Sequence, residues 1–154
     1  MSGPPPLRPF GLVLHRDGTW THEGLPIQNR RLRTAFDRSV RYLPDEAAYV
    51  VQLGRFRGEI EVEEAGFFVR AFDVDTGDLA LSDGSTEPLD VASLHPSPHE
   101  GALLCTVKRA LAPAGLPARF SHAAQADLLA AVLEDEAGCH ALRVGGRLVR
   151  LPEL

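Results

Sequence analysis

Asp17-Gly18 stands between two β-prone runs, Leu12-Val13-Leu14-His15 and Thr19-Trp20-Thr21-His22. Such a dipeptide closes tight hairpins because both central turn positions need φ > 0, so the chain is expected to open with two antiparallel strands. The pattern of short strands cut by turns continues. Glu59-Ile60-Glu61-Val62-Glu63 alternates strictly, which turns Ile60 and Val62 toward a core and the three glutamates toward water. Residues 49–53 form a strand before it, and 67–74 form a nearly continuous apolar strand interrupted by Arg70. Asp75-Thr76-Gly77-Asp78 and Asp83-Gly84 read as turns, 95–99 as a loop, and 103–108 and 117–120 as strands. Gly145-Gly146 joins 140–144 to 148–151 in a closing hairpin.

Two segments break this rhythm. Asn29 is a good N-cap for a helix running to about Tyr42, with Leu32, Phe36, Ser39 or Val40, and Leu43 as its buried stripe and Gly24 and Pro26 ending the strand before it. Pro44 is expected to stop it. Ser121 caps a second helix over 122–133, with Ala126, Leu129 and Leu133 apolar and Gly138 as its exit. The order strand–strand–helix–strand–strand therefore occurs twice, over 12–63 and 103–151, with Leu32 and Phe36 corresponding to Leu128 and Val132. The expected fold is α+β: two small packed domains, each a short helix laid on an antiparallel sheet. The boundaries are a Pro-rich tail at 1–9, an N-terminal domain at 10–70 and a C-terminal domain at 71–154.

The 154 residues, 44% apolar and 24% charged, suit a globular protein. No apolar run approaches the roughly 20 residues of a membrane helix. Met1-Ser2-Gly3-Pro4-Pro5-Pro6 lacks the apolar core of a secretory signal. Cys105 and Cys139 lie far apart in strand regions and read as reduced thiols, which points to the cytoplasm. The net charge of −5 argues against general nucleic-acid binding. It hides an asymmetry. Residues 28–57 hold seven arginines against Asp37, Asp45 and Glu46, and 58–100 hold eleven acids against Arg70.

The densest cluster of chemistry is Trp20-Thr21-His22-Glu23-Gly24-Leu25-Pro26-Ile27. Trp20, His22, Glu23, Gly24, Pro26 and Ile27 match the opening motif of the bacterial family called domain of unknown function 1285 (DUF1285). Residues 60–67 resemble its second motif, with Glu64 in place of an aspartate and Gly66 in place of a proline. Ala118-Arg119-Phe120-Ser121 resembles a third, so the likeness spans 11–151. It implies a two-domain α+β protein whose second domain is loosely similar to pleckstrin-homology-like barrels. It further implies a ligand site where the domains meet, a nucleotide-like ligand and a role in signal transduction. It carries no catalytic residues.

Five residues are the candidate ligand set. Trp20 offers a stacking surface, and His22, on the same strand face, a hydrogen bond. Glu23 joins them only if Gly24 breaks the strand. Arg57 and Arg119 are the candidate partners of a phosphate. Each has a plainer reading: Trp20 as core, His22 as a satisfied histidine, the two arginines as partners of the acidic block. Arg30, Arg31, Arg33, Arg38 and Arg41 read as a solvated helix face, and Glu59, Glu61 and Glu63 as a solvated strand face. No metal site is expected. His22-Glu23 lacks the second histidine of a helical zinc motif, the spacing His95-x₃-His99 is framed by prolines, and Cys139-His140 points two ways. No Gly-x-Ser-x-Gly or phosphate-cradling loop is present. The expectation is a non-enzymatic, cofactor-free, cytoplasmic binding or sensing module. The alternatives are a metal-dependent hydrolase of a nucleotide or phosphoester, and a protein-interaction module with an acidic docking face.

Overall fold

The computed structural model describes residues 8–154, which fall into two compact units, one up to Gly66 and one from Phe67 to Leu154. Residues 1–7 of the expected tail lie outside the described residues. Arg8 and Pro9 do not belong to a tail: they begin a strand and pair with Gly58 and Glu59.

The first unit holds β1 (Arg8–Leu14), β2 (Trp20–His22), β3 (Leu25–Pro26), α1 (Arg30–Ser39), β4 (Val40–Leu43), β5 (Ala48–Leu53) and β6 (Phe56–Val62). Its sheet runs β3-β2-β1-β6-β5-β4. Two meanders meet at β1 and β6, which are parallel, with Val13 beside Glu61 and Leu14 beside Val62. The expected wholly antiparallel sheet is thus corrected. A three-strand meander, a helix and a second meander bring the chain back in its starting direction. The hairpin at Asp17-Gly18 is present, with Leu14 opposite Trp20. Only Gly18 has positive φ there, so the loop is a three-residue turn closed by His15 N–H donating to Thr19 O (2.8 Å).

The second unit holds β7 (Phe67–Asp73), β8 (Asp78–Leu81), β9 (Thr86–Pro88), a 3₁₀ turn (Val91–Ser93), β10 (His95–Pro96), β11 (Leu103–Val107), β12 (Leu116–Phe120), α2 (His122–Ala130), β13 (Val132–Glu134), β14 (His140–Val144) and β15 (Arg147–Arg150). Its larger sheet runs β10-β11-β12-β7-β8-β9, with β12 and β7 parallel. This is the first sheet's topology again: two meanders joined by the first strand of one and the last strand of the other. The internal repeat therefore relates β1–β6 to β7–β12, and not 12–63 to 103–151. The closing strands β13, β14 and β15 make a separate antiparallel sheet, so they cannot play the part of β4–β6.

Both helices start where their caps direct. Asn29 Oδ1 accepts from Leu32 N–H at 3.1 Å, and Ser121 Oγ accepts from Ala124 N–H at 3.2 Å. Both end early. Val40 and Val132 are extended and open β4 and β13, because a β-branched residue that finds a ladder partner, Val51 or Leu142, satisfies its backbone in the sheet. Pro44 ends a strand rather than the helix. Gly138 lies in the β13–β14 turn, donating to Asp135 O at 2.9 Å, and is not a helix exit. His95-Pro96 is a short edge strand, and so is Leu25-Pro26, where proline opposes Thr21.

Leu12, Leu14, Trp20, Val40, Val51 and Ile60 are buried in the first unit, and Phe67, Val69, Leu79, Val107, Phe120 and Leu128 in the second. Full burial of each such side chain contributes about 1.5–3 kcal/mol. Leu129 and Leu133, expected in the stripe of the second helix, are 50% and 45% exposed. That helix buries Ala124 and Leu128 instead, packing on β7 and β12.

Candidate functional site

The first unit holds an apolar cavity of about 350 Å³ beside α1. Leu12 and His22 line it from the β1–β2 pair, Ile27 from the segment before the helix, Leu32 and Phe36 from α1, and Val51 and Leu53 from β5. Strand alternation explains the set. Leu12 and His22 are direct cross-strand partners, and Val51 and Leu53 share one face of β5. The helix then places Leu32 and Phe36, four residues apart, over that face. Leu32 is 41% exposed, because the cavity opens beneath it. His22 is the one polar side chain in the lining.

Trp20 is core and does not line the cavity. It is 1% exposed, packs against Phe36 with ring centroids 5.3 Å apart, and donates its indole N–H to Asp37 Oδ1 at 2.8 Å. Its polar handle is thereby satisfied and its faces are covered. Glu23 is exposed in the β2–β3 turn with φ of 50°, and its N–H donates to Gly11 O at 2.9 Å. That bond holds the bulged part of β1, where Gly11 takes φ of 67° and the register with β6 shifts.

Arg57 stands opposite Gln52, one residue out of phase with Val51 and Leu53, and so occupies the other face of the sheet from the cavity. Its guanidinium lies 3.8 Å from Glu46. Arg119 is in the second unit, buried in β12 beside Leu104, with Nη2 3.5 Å from Glu100 Oε2. Of the five expected residues, only His22 reaches the cavity. Arg30, Arg31, Arg38 and Arg41 are exposed, as a solvated face requires, and Arg33 is half-buried.

A second cluster was not legible in the sequence. His15, Thr21 and Glu63 meet on the face of the first sheet away from the cavity. His15 Nδ1 lies 2.8 Å from Glu63 Oε2, and His15 Nε2 lies 2.9 Å from Thr21 Oγ1. The hydrogen bond from His15 holds the Glu63 carboxyl below its usual range, and Arg16 adds to it, with Nη1 3.0 Å from the other oxygen. The carboxylate fixes the imidazole, whose second nitrogen faces a hydroxyl. Glu63 follows His15 by 48 residues, and only the β1–β6 pairing brings them together. In the second unit Lys108 Nζ bonds Asp83 Oδ2 (2.7 Å) and Ser85 Oγ (2.8 Å) and lies 5.1 Å from the Phe67 ring centre. Cys105 is buried, Cys139 is half-buried beside β14, and both are free thiols.

Among the described residues no three His, Cys, Asp or Glu side chains gather as a metal-ligand set, and no helix is long and apolar enough to cross a membrane. No family model and no curated protein matches the chain. Two solved structures do. A DUF1285 family protein from Silicibacter pomeroyi DSS-3 superposes with a TM-score of 0.62 at 20% identity, covering 98% of this chain and 88% of its own. A DUF1285 family protein from Shewanella baltica OS155 does so with a TM-score of 0.53 at 14% identity, covering 78% of this chain and 91% of its own. The expected likeness to this family is thus shared at the level of fold: this chain has the fold of these two DUF1285 family proteins.

Proposed function

We propose that this protein is a small-ligand-binding module of DUF1285 type, and that its ligand enters the first unit's cavity with an apolar body and one polar group at His22. The cavity carries the reading. Its volume of about 350 Å³ and its lining of six apolar side chains and one histidine have the make-up of a small-molecule site. A nucleotide-like ligand would place only its base there, since no charged side chain lines the space. A sensing role follows if occupancy shifts the order of α1, whose Leu32 and Phe36 form one wall.

Thermal-shift screening of hydrophobic acids, alcohols, nucleobases and nucleotides tests the proposal. A ligand that binds only the folded state raises the melting temperature by mass action. His22→Ala should reduce the shift, and Val51→Trp, which fills the cavity, should abolish it. A shift that survives Val51→Trp places the ligand elsewhere. A second reading rests on β6, whose Glu59 and Glu61 are exposed on one face: an acidic surface that docks a basic partner. Partner capture lost between low and moderate salt, with no small-molecule shift, would favour it.

A further inference from the structure

We propose that Thr21 is an activated nucleophile that takes an acyl group from small activated esters, with His15 as its base and Glu63 as the residue that positions the base. The site lies on the face of the first sheet away from the cavity and is independent of the ligand reading.

A threonine hydroxyl is a weak nucleophile until a neighbouring base takes its proton, and the base works best when a third group orients it. All three parts are in reach of one another. Thr21 Oγ1 lies 2.9 Å from His15 Nε2, and His15 Nδ1 lies 2.8 Å from Glu63 Oε2. An ionised carboxylate only accepts, so it fixes the proton on Nδ1 and turns the Nε2 lone pair to the hydroxyl. Arg16 Nη1, 3.0 Å from Glu63 Oε1, favours that ionised form. The three backbones are fixed too. Thr21 sits in the β1–β2 ladder, His15 N–H donates to Thr19 O at 2.8 Å, and Glu63 N–H donates to Leu14 O at 3.0 Å. A small reagent can reach the group: the His15 and Glu63 side chains are 31% and 34% exposed, and Thr21 is half-buried. Val13 and Pro26 are the cross-strand partners of Thr21 on either side, so they share its face and offer apolar surface to a short acyl group. In the step, Thr21 Oγ1 bonds to the acyl carbon, its proton passes to His15 Nε2, and the ester C–O bond breaks. The electron pair of that bond leaves on the departing oxygen. A phenolate departs without prior protonation, which is why the donor is an activated ester.

Reaction of the full chain with p-nitrophenyl acetate tests this. p-Nitrophenolate should be released in a stoichiometric burst, and peptide mass spectrometry should find the acetyl group on Thr21. Thr21→Val, which keeps the shape of the side chain, should lose that adduct, and Thr21→Ser, which keeps the hydroxyl, should retain it. His15→Gln should slow acetylation of Thr21 at least about a hundredfold, the low end of what a positioned base supplies. Glu63→Gln should slow it as well and, in the same sample, move the imidazole proton to Nε2 in long-range ¹H–¹⁵N spectra, which ties the loss to the orientation of the base. Absence of acetyl on Thr21 in the unmodified chain overturns the proposal. So does acetylation of Thr21 at an undiminished rate in His15→Gln.

Discussion

Gly66 lies against the ring of Tyr49: a Cβ built on Gly66 would stand 2.8 Å from Cδ1 and 3.0 Å from Cζ of that ring. The ring is itself held by an edge contact with Tyr42, centroids 5.0 Å apart. Any side chain at this position would collide with that ring unless Tyr49 moved. Gly66→Ala should therefore destabilise the protein by about 1–3 kcal/mol, the usual cost of overpacking. Tyr49→Ala should absorb most of that penalty, so that urea unfolding of the two single variants and the double variant gives a non-additive cycle. Additive losses would show that the two positions do not compete for space.

Trp20 is core in this fold, and its loss should register as stability. Trp20→Phe keeps much of the apolar bulk but removes the 2.8 Å bond to Asp37 and leaves a gap beside Phe36. A cost of about 2–3 kcal/mol is expected in denaturant unfolding. A change below about 0.5 kcal/mol, the range of surface substitutions, would contradict the burial assigned to it.

The Asp83–Lys108 pair should make the second unit acid-sensitive. Burial pushes the Asp83 carboxyl up, but hydrogen bonds from Lys108 and Ser85 together outweigh it and hold the group below its usual value of 3.8. A carboxyl with a depressed folded pKa adds stability that is complete above the unfolded value and disappears as the pH falls through the folded one. Asp83→Asn should therefore lose stability at pH 7, and the difference from the unmodified chain should shrink as the pH falls below about 4. Melting curves across pH 2–7 check this; a constant difference over that range would remove the pair from the account.

Cys105 should resist alkylation in the native protein. Burial pushes its thiol up to about 12, with the Glu87 and Asp90 charges adding to the shift, and the thiolate is the reactive species. Iodoacetamide at pH 8, read by peptide mass spectrometry, should label Cys139 before Cys105. Cys105 should react only with unfolding. Labelling at equal rates would contradict the placement of Cys105 in the core of β11.

His15 should carry its proton on Nδ1. An ionised carboxylate only accepts, so Glu63 requires a donor there and leaves Nε2 to accept from Thr21. Long-range ¹H–¹⁵N spectra of the neutral imidazole should show that tautomer, and Glu63→Leu should release it. The Nε2–H form in the unmodified chain would mean that the network is not formed.

What the sequence alone determined was local. The Asp17-Gly18 and Gly145-Gly146 hairpins, the Asn29 and Ser121 caps and the alternation of β6 all depend on hydrogen bonds or side-chain directions within a few residues, which composition at those positions dictates. That His22 shares a strand face with Trp20 was legible for the same reason. Tertiary structure decided the rest. The parallel pairs β1–β6 and β7–β12 join segments some fifty residues apart. Their formation made the true repeat, while the antiparallel partners Val51 and Leu142 exchanged the last turn of each expected helix for a strand at Val40 and Val132, and the β5–β6 register put Arg57 on the far face of the sheet. Periodicity marks Leu32 as apolar and inward. Only the placement of α1 relative to β5 decides that the space beneath it is a cavity rather than filled core, because a void is a property of two packed surfaces and is written in neither one.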